Sequence, residues 1–150
     1  MNINQQLTEH FKLSELIITE TGIDNRPPES IIPRLKWIAR QLEHIRSKLC
    51  KPIYVTSCYR SPKVNKAVGG SPTSLHLSAT AVDFRISNYS VTQLPDLFEA
   101  ILATHPYELY PIDRNTLHVS WYPLGNCFDL DPVPFAFVDI ETIEDDFDNY

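Results

Sequence analysis

Three side chains in this sequence have the types and spacing to do chemistry together. His76 and Asp83 stand seven residues apart in Ser74-Leu75-His76-Leu77-Ser78-Ala79-Thr80-Ala81-Val82-Asp83, across a passage from loop into strand. Residues 79–86 alternate small and branched side chains, the pattern of a short buried strand, where an ionised Asp is costly unless it is paired or metal-bound. One answer is a carboxylate satisfied by backbone amides, with His76 an ordinary loop histidine. The other is a pair of ligands to one metal. In Thr116-Leu117-His118-Val119-Ser120-Trp121, the apolar Leu117, Val119 and Trp121 share one strand face, and His118 and Ser120 share the other. With the apolar face in the core, His118 turns toward the second face of the sheet. Two histidines and a carboxylate, with a fourth position open, are the ligand set of a catalytic zinc site rather than a closed structural one.

The motifs around these residues occur in an ordered series: Ser57-Cys58-Tyr59-Arg60-Ser61-Pro62, then Asn65, Gly69-Gly70, Ser74-x-His76 through Asp83, and His118-Val119-Ser120. The series resembles the zinc D-Ala-D-Ala carboxypeptidase and L-alanyl-D-glutamate endopeptidase family. These are peptidoglycan peptidases related in fold to the Hedgehog signalling domain, and their small members include phage endolysins. The resemblance spans residues 10–122. It implies an α+β fold with a small antiparallel sheet that carries the zinc site and packs against two or more helices. It also implies that His76, Asp83 and His118 bind zinc, that Arg60 holds substrate or the active-site network, and that Ser74 assists.

Three positions depart from the family pattern. Ala79 and Cys58 stand where glycine is usual, and both side chains disfavour positive φ. Asn115 stands three residues before His118, where many members carry the Glu or Asp that acts as catalytic base, and an amide cannot take a proton from water. Asp113 is the preferred substitute, with Glu108 the alternative. The expected reaction is zinc-assisted hydrolysis of a peptide bond in the peptidoglycan stem, of either the carboxypeptidase or the endopeptidase type. The rival reading is a catalytically weak zinc-binding module that recognises cell-wall peptide or a virion partner. A structural zinc site with Cys127 as fourth ligand is a third.

These residues need elements to position them. Ile31, Leu35, Ile38, Leu42, Ile45 and Leu49 recur in steps of three and four, which predicts a long core helix, with Lys36, Arg40, Glu43, Arg46 and Lys48 on its solvated face. Lys51-Pro52 ends it. Ile53–Ser57 is β-branched and bounded by turn chemistry, which predicts a strand that delivers Tyr59 and Arg60 to its end. Residues 61–73 form a long polar loop with a helical turn at 63–67. Val91, Leu94, Leu97, Phe98, Ile101 and Leu102 predict a second amphipathic helix, with Pro95 near its first turn. A strand over 107–112 and a turn at Asp113-Arg114-Asn115 lead back to His118. Residues 7–19 read as an entry segment with one or two helical turns. His10, His44 and His105 are not ligand candidates.

The chain of 150 residues, 43% hydrophobic, is one domain's worth. The peptidase domain is expected over 1–122, followed by an extended aromatic and proline-rich arm and an acidic tail over 123–150. The net charge of −6 leaves no basic stripe for nucleic acid. Three cysteines without a Cys-x-x-Cys pair indicate neither a disulfide framework nor a zinc ribbon. The segment Met1–Gln6 lacks the basic start and apolar run of a leader, and no stretch approaches the roughly 20 apolar residues of a membrane span. The expectation is a monomer made in the cytoplasm, without membrane contact, released to the wall by a phage holin or carried in a virion, with peptidoglycan stem peptides as its partner.

Overall fold

The computed structural model describes residues 1–121. The expected arm and tail over 123–150, and Cys127 with them, lie outside the described residues. The described chain is α+β. In order it carries α1 (Leu13–Leu16), α2 (Ile32–Leu49), β1 (Ile53–Ser57), α3 (Pro62–Ala67), β2 (Ala81–Ile86), α4 (Pro95–Leu102), β3 (Glu108–Pro111) and β4 (Thr116–Ser120). The four strands form one sheet of order β1-β2-β4-β3, antiparallel throughout.

The apolar stripe read from the sequence forms α2. Leu35, Ile38, Ala39, Leu42 and Ile45 are fully buried, while Ile31 and Leu49 at its ends are only partly covered. The helix stops at Cys50, which takes the left-handed conformation (φ 52°) and returns its N–H to the Arg46 carbonyl. The stripe packs in one core with Val82, Phe84, Leu109, Leu117 and Val119 of the sheet. Trp37 and Trp121 close one side of this core edge to face, with ring centroids 5.3 Å apart.

The second amphipathic helix is shorter than the pattern suggested. A 3-10 turn at Val91–Gln93 comes first, Leu94 is extended (φ −125°, ψ 77°), and α4 begins at Pro95. The reason is local: the ring of Pro95 disfavours the helical region for the residue before it, so proline opens the helix and does not interrupt it. His105 lies beyond the end of α4 at φ 55°. No helix of the described residues is long and apolar enough to cross a membrane.

The sheet register decides which side chains share a face. Asp83 lies opposite His118, and His118 opposite Tyr110; one row away, Ser120 lies between Ala81 and Glu108. Paired residues of antiparallel strands project to the same side, so Asp83, His118, Tyr110, Ser120 and Glu108 share the face away from α2. The register of β1 against β2 shifts between Val55 and Ser57, at the end of β1 that leads into the 58–61 turn.

The entry segment buries Leu7, Phe11, Leu13, Leu16 and Ile17. Glu43, expected on the solvated face of α2, instead pins this segment. Its carboxylate accepts from the Thr8 hydroxyl (2.8 Å), the His10 backbone N–H (2.7 Å) and His10 Nδ1 (2.8 Å). Partial burial pushes the Glu43 carboxyl up, but the bonds from His10 and Thr8 outweigh it and hold the group below its ordinary value of 4.5. A carboxyl depressed on folding stabilises above its unfolded pKa and loses that contribution as pH falls through the folded value. Glu43→Gln is therefore expected to cost about 1 kcal/mol at pH 7, with the difference from wild type shrinking in melts taken below pH 4.

Ala79 is buried at φ 54°, a left-handed backbone that strains a residue carrying a Cβ. Ala79→Gly sheds a left-handed penalty of about 1 kcal/mol against a lost buried methyl of about 0.8 kcal/mol, and is expected within about 0.5 kcal/mol of wild type. Ala39→Gly, in regular helix, has no such relief and is expected to cost about 2 kcal/mol. Equal losses in denaturant titrations of the two variants would remove the strain from Ala79.

Candidate metal centre

The end of β1 feeds a turn, Cys58–Ser61, whose backbone is held by several hydrogen bonds. Tyr59 N–H donates to the Leu16 carbonyl (2.9 Å) and Arg60 N–H to the His76 carbonyl (3.1 Å). The Tyr59 carbonyl accepts from Asn25 Nδ2 (2.8 Å), and Ser61 N–H donates to Asn25 Oδ1 (2.7 Å). Asn25 is buried and also donates to the Ile17 carbonyl (2.9 Å). It ties the entry segment to this turn, a role the sequence analysis missed. An amide in a Gly/Pro turn looks the same whether it faces water or the core, so no sequence signal marked it.

The Cys58 carbonyl accepts from His76 Nδ1 at 2.6 Å. A carbonyl can only accept, so Nδ1 carries a proton, and in the neutral ring the lone pair is on Nε2. Nε2 points into the site, 3.3 Å from Asp83 Oδ1. The loop carrying His76 is held at both ends: Ser74 Oγ accepts from the His76 N–H (3.3 Å), and Arg34 of α2 donates to the Ser78 carbonyl (3.0 Å). The Cys58 thiol is buried in the core, where burial and the charge of Asp83 push its pKa up and keep it protonated.

Asp83 is 5% exposed. Burial alone would raise its carboxyl, but the imidazoles of His118 and His76 beside it hold it at about 2. It is therefore a buried anion at neutral pH. His118 Nδ1 lies 2.7 Å from Asp83 Oδ1 and its Nε2 lies 3.1 Å from Glu108 Oε2, with the Tyr110 ring stacked on its face at 4.4 Å. Arg60 Nη2 is 3.5 Å from Asp83 Oδ2, and its Nε donates to Ser57 Oγ (3.0 Å).

The ligand atoms of His76, Asp83 and His118 all lie within 4.8 Å of one another. Two imidazole nitrogens and one carboxylate oxygen, buried and converging, fit zinc in donor type and number. The second nitrogen of each ring is engaged by an outer partner, the arrangement common to metal-binding histidines.

The triad opens into a cleft of about 380 Å³ that Arg60, Ser74, Glu108 and Tyr110 also line. The structure thus brings Arg60 and Ser74 to the three candidate ligands, but not Asp113. Asp113 is exposed at the β3–β4 turn, where its Oδ1 accepts the backbone N–H groups of Asn115 and Thr116 (both 2.8 Å), and it does not line the cleft. The Asp113 carboxylate, expected as the base, is engaged in building the turn. Asn115 is exposed in the same turn. The carboxylate in the cleft besides Asp83 is Glu108. The polar loop on the opposite wall is tied by Asn65, whose Nδ2 donates to the Ser71 carbonyl (2.9 Å). A Cβ at Gly70 would collide with the Asn65 carboxamide, which explains the glycine there.

No curated protein matches the chain. A family model described as Peptidase M15 matches residues 9–120, a span that contains every strand and helix of the described residues and all three candidate ligands. With most of its length matched and a His-Asp-His site in place, the chain belongs to the peptidase M15 family of zinc-dependent metallopeptidases.

Proposed function

We propose that the protein hydrolyses amide bonds in the stem peptides of peptidoglycan, as a D-Ala-D-Ala carboxypeptidase or an L-Ala-D-Glu endopeptidase. The observation that supports this reading is the opening of the triad into a cleft that also holds a guanidinium and a second carboxylate. Zinc held by His76, Asp83 and His118 would lower the pKa of a water toward about 7 and polarise the scissile carbonyl. Glu108 takes the proton from the attacking water and passes it to the leaving amine. Its Oε1 makes no hydrogen bond among the described residues, and its side chain is 39% exposed toward the cleft. Arg60 binds a carboxylate of the substrate, since its planar fork suits that group and stem peptides carry free carboxylates on D-Glu and at the D-Ala terminus. The polar wall at Ser71, Thr73 and Ser74 suits a peptide backbone better than an apolar ligand.

The test is cleavage of purified peptidoglycan and of synthetic stem peptides ending in D-Ala-D-Ala by zinc-saturated wild type, Glu108→Gln and Asp113→Asn. A fall in rate of about 10²–10⁴ is expected for Glu108→Gln, and a change of less than about threefold for Asp113→Asn, whose amide oxygen still accepts within the turn. The opposite ranking would return the base to Asp113. A zinc-loaded wild type that cuts neither material would contradict the substrate assignment.

Arg60→Lys keeps the charge but loses the fork. It is expected to raise KM about tenfold or more with a smaller effect on kcat. An unchanged KM would move Arg60 from substrate binding to support of Asp83.

A further inference from the structure

The two imidazoles of the site face the same carboxylate through different nitrogens. His76 presents Nε2 to Asp83 (3.3 Å), because the Cys58 carbonyl at 2.6 Å holds the proton on Nδ1. His118 presents Nδ1 to Asp83 (2.7 Å). A neutral imidazole has one N–H and one lone pair, so His118 serves as a ligand through Nδ1 only if its proton sits on Nε2. Among the described residues no backbone carbonyl does for His118 what Cys58 does for His76. The group at its Nε2 is the Glu108 carboxylate, with Oε2 at 3.1 Å.

The same Oε2 accepts from Ser120 Oγ at 2.7 Å. The register explains the geometry. Ser120 lies directly opposite Glu108, and His118 is two residues away on the same strand and the same face. Two donors of β4 therefore converge on one oxygen of β3. The hydroxyl of Ser120, itself fully buried, keeps that oxygen turned toward His118. The ring orientation is selected as well, because a flip would set carbon atoms against both Asp83 and Glu108. Tyr110, stacked at 4.4 Å and 17° from parallel, confines the ring to that plane.

We propose that Glu108 and Ser120 are positioning residues for the metal: through Oε2 they fix the Nε2–H tautomer of His118 and so free Nδ1 to bind zinc. This rests on the zinc-site reading of the triad and deepens it. Glu108 then serves in two ways through two oxygens, with Oε2 committed to His118 and Oε1 left for the proton transfer. Ser120 never meets substrate; its effect passes through Glu108.

The test measures metal rather than turnover. Zinc affinity is determined by competition with a chromophoric chelator for wild type, Glu108→Ala, Glu108→Gln and Ser120→Ala, with melting of the metal-free proteins as a check on folding. A loss of about 10–100-fold is expected for Glu108→Ala, the size typical of removing a ligand's outer partner. Glu108→Gln retains an oxygen that accepts from Nε2 and is expected to recover most of that loss, while Ser120→Ala falls between wild type and Glu108→Ala. Nitrogen-15 histidine spectra of the zinc-loaded protein are expected to show His118 protonated at Nε2 and metallated at Nδ1, with His76 the reverse. Wild-type affinity in Glu108→Ala, equal losses in Glu108→Ala and Glu108→Gln, or zinc on Nε2 of His118 would each overturn the proposal. Failure of the zinc-loaded wild type to cut peptidoglycan would sink the substrate assignment and leave this result standing, whereas a wild type that binds no zinc would overturn the metal-site reading and this proposal together.

Discussion

A buried carboxylate is the constraint on which the rest of this structure depends. Asp83 sits in the central strand pair at 5% exposure, yet its pKa of about 2 keeps it ionised. An uncompensated charge in that position costs several kcal/mol. Compensation comes from three directions: His118 from the neighbouring strand, His76 from the loop before β2, and Arg60 from the turn after β1. Those groups come from three separate stretches of chain, so satisfying Asp83 fixes the sheet register, the loop and the turn relative to one another. The same convergence of lone pairs on one point is what a divalent metal requires.

The supporting shell is built from ordinary hydrogen bonds. Asn25 ties the entry segment to the 58–61 turn, the Cys58 carbonyl sets the tautomer of His76, and Arg34 reaches from the core helix to the loop that carries His76. None of these contacts touches a substrate. Each removes a degree of freedom from a residue of the candidate metal site, which is how a site is kept within the tolerance its chemistry demands.

Much of this was legible in the sequence where one local pattern decides the outcome. The α2 stripe and the β-branched run of β1 are uninterrupted, and structure follows the pattern almost to the residue. The three ligand candidates were legible too, because a polar residue inside an apolar strand pattern is expensive and needs a reason. The break at Leu94 was readable from Pro95 but was outweighed by the apolar periodicity running across it. Which acid lines the cleft was not decided by spacing: Asp113 was preferred and Glu108 was the alternative. Counting back three residues from His118 reaches a turn whose acid, Asp113, is consumed by its own backbone. Glu108 is ten residues back, and only the pairing of β3 with β4 places it beside His118. Asn25 was invisible for the same reason: its partners lie far away in the chain. Glu43 shows the converse, a charge off the apolar stripe that tertiary contact draws half into the core.

The central claim is that His76, Asp83 and His118 hold one zinc ion with a position left open to the cleft. Anomalous diffraction from zinc-loaded crystals at the zinc absorption edge tests it most directly. The account predicts a single peak about 2.0–2.2 Å from His76 Nε2, an Asp83 carboxylate oxygen and His118 Nδ1, with the remaining coordination site facing Glu108 and Arg60. A peak away from these atoms, or one whose fourth ligand is Cys127, would contradict it.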